Sequence, residues 1–431
     1  MQTAAPAHLN PPRRGLQKAH TLHFLMFALI AALLLPAKIQ VCAAQAQSSA
    51  DTISGLAARK QLSGGTALYP RVLRLVHNEK PSTNGEILAS VTAITAGGSE
   101  VDFYTMRQGA AGFTKISSIQ DDAFAQGLCC GTLYELPRRV GTMAAGTVLW
   151  AGSVGQKSQT DPMQLKIYAS PDGGKNWHYL SDCAKSNGPR KIVRGLWEPQ
   201  FTVAKDGALV CFYSDETEKN HSQVIKQTRS YDGVHWQDTL DTLAGKDPSD
   251  RPGMVVVTPL PSGLYFMTFE VCGHAACSVS SRTSKDGWSW GDASELDQRV
   301  ISTTGQWFEH APTNVWSPRG ATGKGTIFVV GQVLFDNNGT VSKENGLTIF
   351  ASQSGDVSGP WTTIKAPVPV PSAYDNPCPN YSSALLPSPD GKDLLELASD
   401  HDGPICRMYY ASDPVSSLED MQNQNSPKAM K

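Results

Sequence analysis

The chain has no block of like charge. Its 431 residues carry 37 Lys and Arg against 39 Asp and Glu, a formal net charge of −2, with neither a basic stretch nor an acidic tail. That balance argues against nucleic acid as the main partner. Extended stretches rich in Ala, Glu, Lys and Leu are scarce, so little of the chain is suited to helix. No cluster of Cys and His has the spacing of a zinc site, and no nucleotide-binding loop occurs, so no metal or cofactor is expected. The long apolar run, "FLMFALIAALLLP" from Phe24 to Pro36, is too short for a comfortable membrane span. Arg13, Arg14 and Lys18 precede it and the small residues of "CAAQAQ" follow it, which is the layout of a secretory signal cut near Ala44 or Ala46. Residues 1–46 are therefore expected to be removed and the mature chain to be secreted, without membrane contact. The alternative is an uncleaved signal anchor. "IQVC" is a poor lipoprotein box, because the residue before Cys42 is not small.

What is present points to strands and turns. Aromatic residues, Gly and Pro are ample. Nine cysteines become eight once Cys42 leaves with the signal, an even number suited to an oxidising compartment. Cys272 and Cys277 are close enough for a local bridge, and Cys378 and Cys406 can close another. Of the vicinal Cys129 and Cys130, one is expected to reach a distant partner such as Cys183. Cys211, inside the apolar "ALVCFY", reads as an ordinary buried thiol. Glycosylation sequons occur at Asn220, Asn338 and Asn380.

One turn recurs. "SPDGGKNW" from Ser170, "SYDGVHW" from Ser230 and "SKDGWSW" from Ser284 are variants of it, each after a strand-like run. A degenerate copy, "SGDVSGPW", begins at Ser354, and weaker echoes stand around Met106 and Ser412. Successive copies lie 54 to 70 positions apart. In each full copy the Asp can accept bonds from the backbone of the turn, the Gly permits positive φ, and the Trp is expected to pack back under its own sheet. A period of this length with four short strands per unit predicts an all-β, six-bladed propeller. Six hairpins accompany the turns, opening at Tyr69, Thr142, Trp197, Arg251, His310 and Asn380. The segment from Gln47 to Leu68 is expected to supply a strand that closes the ring. One propeller domain over residues 47–413 and a disordered tail over 414–431 complete the organisation.

In a propeller the first strand of each blade lines the axis, so the starts of those strands gather at one face. Arg71, Glu198, Arg251, His310 and Tyr381 occupy such starts. In an antiparallel hairpin the start of one strand lies beside the end of the next, so Glu198 should neighbour Asp215, and Arg251 should neighbour Glu270. Two glutamates on adjacent blades would then face each other over the axial funnel. Paired carboxylates suit glycoside hydrolysis, one as nucleophile or base, the other as proton donor. Each residue has a plainer reading too. Glu270 can pair with Arg251 for stability alone, Arg71 can tie two blades together, Tyr381 can simply pack, and His310 can be a satisfied polar residue. Glu309 is a reserve carboxylate.

The segments "YPR", "WEPQF" with "FYSDE", "DRPGM" with "MTFEVCG", and "NYSSALLPS" resemble those of the exo-acting α-1,5-L-arabinanases of glycoside hydrolase family 93. The turn itself resembles the Asp box of sialidase-type propellers. The resemblance spans nearly all of the chain after the signal. It implies a secreted, retaining hydrolase that releases arabinobiose from the non-reducing end of linear arabinan, a neutral plant cell-wall glycan. The family's two glutamates fall on Glu198 and Glu270, taken here as nucleophile and acid/base with the reverse order open, and Arg71, Asp215, Arg251, His310 and Tyr381 stand at fitting places around the sugar; a monomer is expected. Two departures, the segment from Gln306 to Gly325 and the cysteines near Cys129, can reshape the sugar subsites. Two other functions fit the same outline. A sialidase would need converging arginines, drawn from Arg71, Arg251 and one of Arg282, Arg319 or Arg407, and a Tyr–Glu nucleophile pair. A non-catalytic carbohydrate-binding propeller would need neither glutamate for chemistry.

Overall fold

A computed structural model describes residues 59–415, except 108 and 297. The expected signal, its cleavage site and most of the C-terminal tail lie outside the described residues. Repetition of short strands divided by Gly-containing turns yields six antiparallel sheets, arranged as the blades of an all-β propeller. Blade one is built from Thr66–Arg74, Ile87–Thr95, Gly98–Met106 and Thr114–Ile119. Blade two is Leu128–Glu135, Val148–Val154, Gln164–Ser170 and His178–Lys185. Blade three is Leu196–Val203, Leu209–Asp215, Val224–Ser230 and Gln237–Leu243. Blade four begins Arg251–Pro259, Tyr265–Cys272 and Ser278–Ser284, and blade five is Thr313–Ser317, Thr326–Val330, Thr348–Ser352 and Thr362–Lys365. Blade six joins Ala384–Pro387, Asp393–Asp402 and Ile405–Pro414 to the N-terminal Lys60–Gln61, whose partners are Tyr410 and Tyr409. The first described strand therefore closes the ring, as expected from the sequence.

Two features depart from expectation. The second hairpin does not open at Thr142. Its first strand is Leu128–Glu135, and Thr142 lies in the connection to Val148–Val154. A bulge at Cys130 interrupts the apolar pattern of that strand, so the uninterrupted run after Gly146 carries the clearer signal. Blade four is also extended: Trp307–Glu309 adds to Ser278–Ser284, and Val333–Phe335 adds to Trp307–Glu309, giving five strands.

The recurring turns are held as their chemistry requires. Asp172, Asp232 and Asp286 each accept two backbone N–H bonds within their turns, and the preceding Ser hydroxyls donate to them. The tryptophans do more than pack beneath their own sheet. Trp177 stacks on Phe103 of the preceding blade at 4.2 Å, and Trp236 Nε1 donates to Ser181 Oγ of the preceding blade at 3.1 Å. Trp290 meets Phe212 edge-on at 5.8 Å, and Trp361 lies 6.1 Å from Phe266, again one blade back. The repeat is thus the clasp between blades. The apolar clusters follow suit, each mixing side chains from neighbouring blades.

The disulfides are Cys129–Cys130, Cys183–Cys211, Cys272–Cys277 and Cys378–Cys406. The last two match expectation. Cys129 and Cys130 join each other instead of a distant partner. Cys211 is not a free thiol: its strand lies in blade three facing the outer strand of blade two, which brings it to Cys183.

Candidate active site

The innermost strands share one device at the same end of the propeller. Tyr69, Cys130, Glu198 and Met254, in blades one to four, adopt left-handed backbone with φ of 57°, 64°, 58° and 55°. The pairing register slips there in each case. In blades five and six the left-handed residues precede the strand, at His310, Ala311, Asn380 and Ser382. Such geometry costs non-glycine residues of the order of 1–3 kcal/mol each and re-aims the side chain. The result is one small cluster fed by all six blades, with Tyr69, Cys130, Met254 and Ala311 buried, and Cys129, Trp197 and Tyr381 packed on them.

Glu198 and Glu270 meet at this mouth. Glu198 Oε2 accepts from Ser214 Oγ at 2.7 Å and from the Met254 N–H at 3.0 Å. Glu270 Oε2 accepts from the Ala311 N–H at 2.8 Å. Glu270 pairs across the sheet with Gly253, where an added methyl group would press on Gln223 Nε2 at 2.8 Å and stand in ordinary contact with Glu270 Oε1 at 3.4 Å. Through Gly253, Met254 and ordinary bond lengths, the two carboxylates lie within about 10 Å of each other. Their electrostatics differ. Burial pushes the Glu270 carboxyl up to about 8, reinforced by the nearby charge of Glu198 and opposed by the Ala311 N–H. Burial also raises Glu198, but two hydrogen-bond donors work against it and favour its ionised form.

The remaining candidates fall into place unevenly. Arg251 pairs with Cys272 rather than with Glu270, yet its charge reaches both glutamates. It is fixed by Glu216 at 2.6 Å, Gln223 at 2.8 Å and Ser222 Oγ at 2.9 Å. Arg71 lies over the Tyr69 ring at 4.4 Å and donates to Ser382 Oγ at 3.0 Å, linking blades one and six beneath the mouth. Tyr381 lies 6.0 Å from Tyr69 and its hydroxyl reaches Met254 Sδ at 3.3 Å. Burial and the charges of both glutamates keep the phenols of Tyr69 and Tyr381 protonated, as donors. His310 sits 3.8 Å from Asp375, with burial lowering its pKa, and its neighbour Ala311 supplies the N–H to Glu270. Glu309 accepts from Trp307 Nε1.

Asp215 is not brought to Glu198. Its cross-strand partner is Leu196, and side chains alternate along a strand, so Ser214 takes the place beside Glu198 while Asp215 faces the other way and accepts from the Thr217 N–H. The groups not anticipated are Tyr69, Ser214, Glu216, Trp197 and Asp375. Ser214 and Glu216 flank Asp215 in "YSDE", so the segment was informative but the face was off by one residue. Asn380 is buried, and its side-chain amide donates to the carbonyls of Gly331 and Gln332, which leaves that sequon no room for a glycan.

Cys272, Cys277 and His310 are grouped closely enough to hold a metal, but the two sulfurs are joined to each other and offer no thiolate. Nor do the arginines of a sialic-acid site assemble. Arg282 bonds the Asp292 carbonyl beyond the recurring turn of blade four, Arg319 follows the far end of Thr313–Ser317 beside Gly391, and Arg407 is held by Asp402 and the Gly64 carbonyl in blade six.

No protein-family model and no curated protein sequence matches the chain. Solved structures do. An α-L-arabinanase of Penicillium chrysogenum, solved with arabinobiose, is 25% identical with a TM-score of 0.66, over 83% of this chain and 96% of that one. An α-L-arabinofuranosidase of glycoside hydrolase family 93 from Fusarium graminearum, also solved with arabinobiose, is 24% identical with a TM-score of 0.66, over 83% and 97%. The NanB sialidase of Streptococcus pneumoniae, at 10% identity and a TM-score of 0.54 over 83% and 70%, shares the fold.

Proposed function

We propose that the protein is a secreted glycoside hydrolase acting on α-1,5-linked L-arabinan, exo-acting and retaining, that releases arabinobiose from the non-reducing end. The observation that carries this reading is the pair of glutamates at one mouth: burial raises both, Glu270 to about 8, while hydrogen bonds from Ser214 and the Met254 N–H favour the charged form of Glu198. Likeness to two arabinose-polymer enzymes solved with arabinobiose supports the substrate class. The disulfides are consistent with an extracellular protein.

In this mechanism Glu198, ionised and oriented by Ser214 and the Met254 N–H, attacks the anomeric carbon. Glu270 enters protonated and gives its proton to the departing glycosidic oxygen. A covalent arabinobiosyl ester on Glu198 results. Glu270, now ionised, takes a proton from water as that water attacks the ester, which releases the sugar with its configuration kept and restores both groups. Tyr69 and Tyr381 stay protonated at neutral pH and offer hydrogen bonds to sugar hydroxyls. Retention calls for a carboxylate gap of about 5–5.5 Å and inversion for about 6.5–9.5 Å, and the bound of about 10 Å admits both.

Digestion of linear α-1,5-arabinan, followed by product chromatography and NMR of the first-formed anomer, tests the proposal. The expected first product is arabinobiose with retained configuration. A ladder of mixed oligosaccharides would refute exo action, an inverted anomer would refute the two-step route, and cleavage of a sialoside without arabinan would overturn the substrate class. Sugar binding without cleavage, unchanged in Glu198→Gln, would mark a binding propeller instead.

A further inference from the structure

A cavity of about 510 Å³ opens beside the mouth, between blades two, three and four. That volume falls in the range of about 300–1,000 Å³ that small-ligand clefts occupy. Its lining includes Arg190, Lys191, Arg194 and Arg251, against a single carboxylate, Glu216. Glu216 is already committed: Arg251 holds one oxygen at 2.6 Å and Trp197 Nε1 holds the other at 2.9 Å. Arg251 is thereby paired, and among the described residues Arg190, Lys191 and Arg194 form no ion pair within 4.0 Å, although the charge of Arg190 acts on Glu216 from farther off. All three are exposed.

The cleft is continuous with the mouth through two side chains. The Arg190 guanidinium lies over the Trp197 ring at 4.8 Å, and Trp197 packs on the cluster that carries Tyr69 and Met254. Arg251 lines the cleft while its charge acts on both Glu198 and Glu270. Arg194 is tethered by long contacts to the carbonyls of His221 and Ser222, at 3.4 Å each, which holds its guanidinium at the rim. A neutral furanoside can accept hydrogen bonds from these cations but offers no charge to balance them, whereas a carboxylate offers both. Three charges on a chain with a net charge of −2 are also too few for a polyanion such as nucleic acid.

We infer that this cleft is an accessory subsite for a carboxylate-bearing sugar, a uronic or aldonic acid unit one or two residues from the bond that is cleaved. The inference rests on the glycan-hydrolase reading above and adds an acidic unit to its substrate class. Planar guanidinium groups match a carboxylate by paired hydrogen bonds, and a lysine beside them adds a point charge.

The test is a binding titration of the full mature chain with α-1,5-arabino-oligosaccharides bearing one carboxylate at either terminus, each compared with its neutral methyl ester. At low ionic strength, one carboxylate placement should bind about tenfold more tightly than its ester, the sum of a few rim ion pairs. The gap should shrink as sodium chloride is raised to about 0.5 M, where the Debye length is a few ångströms. It should also shrink in Lys191→Gln/Arg194→Gln. Equal binding of acid and ester at both placements overturns the inference, as does a gap that salt and the double variant leave unchanged. Because binding is read directly, these outcomes stand even if the oligosaccharides are not hydrolysed, whereas hydrolysis of the esters with no acid preference sinks only the accessory subsite.

Discussion

Replacing Glu198 with Gln removes a negative charge from beside Glu270 while keeping an acceptor for Ser214 and the Met254 N–H. Burial is the largest influence holding Glu270 up at about 8, and the Glu198 charge is the next. At an effective dielectric of about 20, two unit charges about 10 Å apart interact by about 1.7 kcal/mol, and about 5.5 Å apart by about 3 kcal/mol. At about 1.36 kcal/mol for each pH unit, Glu270 should therefore titrate about one to two pH units lower in Glu198→Gln than in the parent. Carboxyl-carbon NMR on protein labelled at glutamate measures this directly, without needing turnover. The size of the fall also gauges the gap: a fall near two units favours the short separation of a retaining enzyme. A Glu270 that titrates at the same pH in both proteins would refute the reasoning, because the two acids would then not share one mouth. So would a parent Glu270 that titrates near 4.5, the ordinary value of a glutamate.

Glu270 must be protonated to act as acid, so kcat/KM on arabinan should fall as pH rises through about 8. Ser214→Ala removes a charge-assisted bond to the nucleophile, worth about 1.5–3 kcal/mol, and should lower kcat by about 10- to 150-fold with the melting temperature nearly unchanged. Glu396, buried in blade six and accepting from the Val368 N–H, is raised by burial from 4.5 to about 8. Its folded value exceeds its unfolded one, so its contribution to stability is whole below pH 4.5 and is lost as pH climbs through about 8. Glu396→Gln cannot ionise, so by thermal melting it should match the parent at pH 4 and exceed it at pH 9, by at most about 5 kcal/mol. Asp286→Ala breaks two backbone bonds in its turn and should cost about 1–2 kcal/mol by denaturant titration, while kinetics stay unchanged because that turn lies at the far end of the blade.

The architecture was legible because its cause is local. Ser, Asp, Gly and Trp at fixed offsets make the same hydrogen-bonded turn wherever they occur, so Ser170, Ser230 and Ser284 marked their blades without help from distant residues. The neighbouring bridges, Cys272–Cys277 and Cys378–Cys406, were readable for a related reason: each joins strands or turns close in the chain order of one sheet. The register at the mouth was not readable. A one-residue slip turns a strand over, and Asp215 rather than Ser214 seemed to neighbour Glu198 because the bulge after Trp197 has no side-chain signature. The same bulge at Cys130 hid the first strand of blade two.

The sequence by itself determined the repeat, the class of fold and the two glutamates worth watching. Tertiary structure decided what surrounds them: the inner strands of blades one to four, and the residues just before those of blades five and six, adopt left-handed backbone at one end, and only closure into a ring brings Tyr69, Ser214, Met254 and Ala311 to those carboxylates. The ionisation of a buried acid depends on every donor and charge near it in space, and those groups come from blades far apart along the chain.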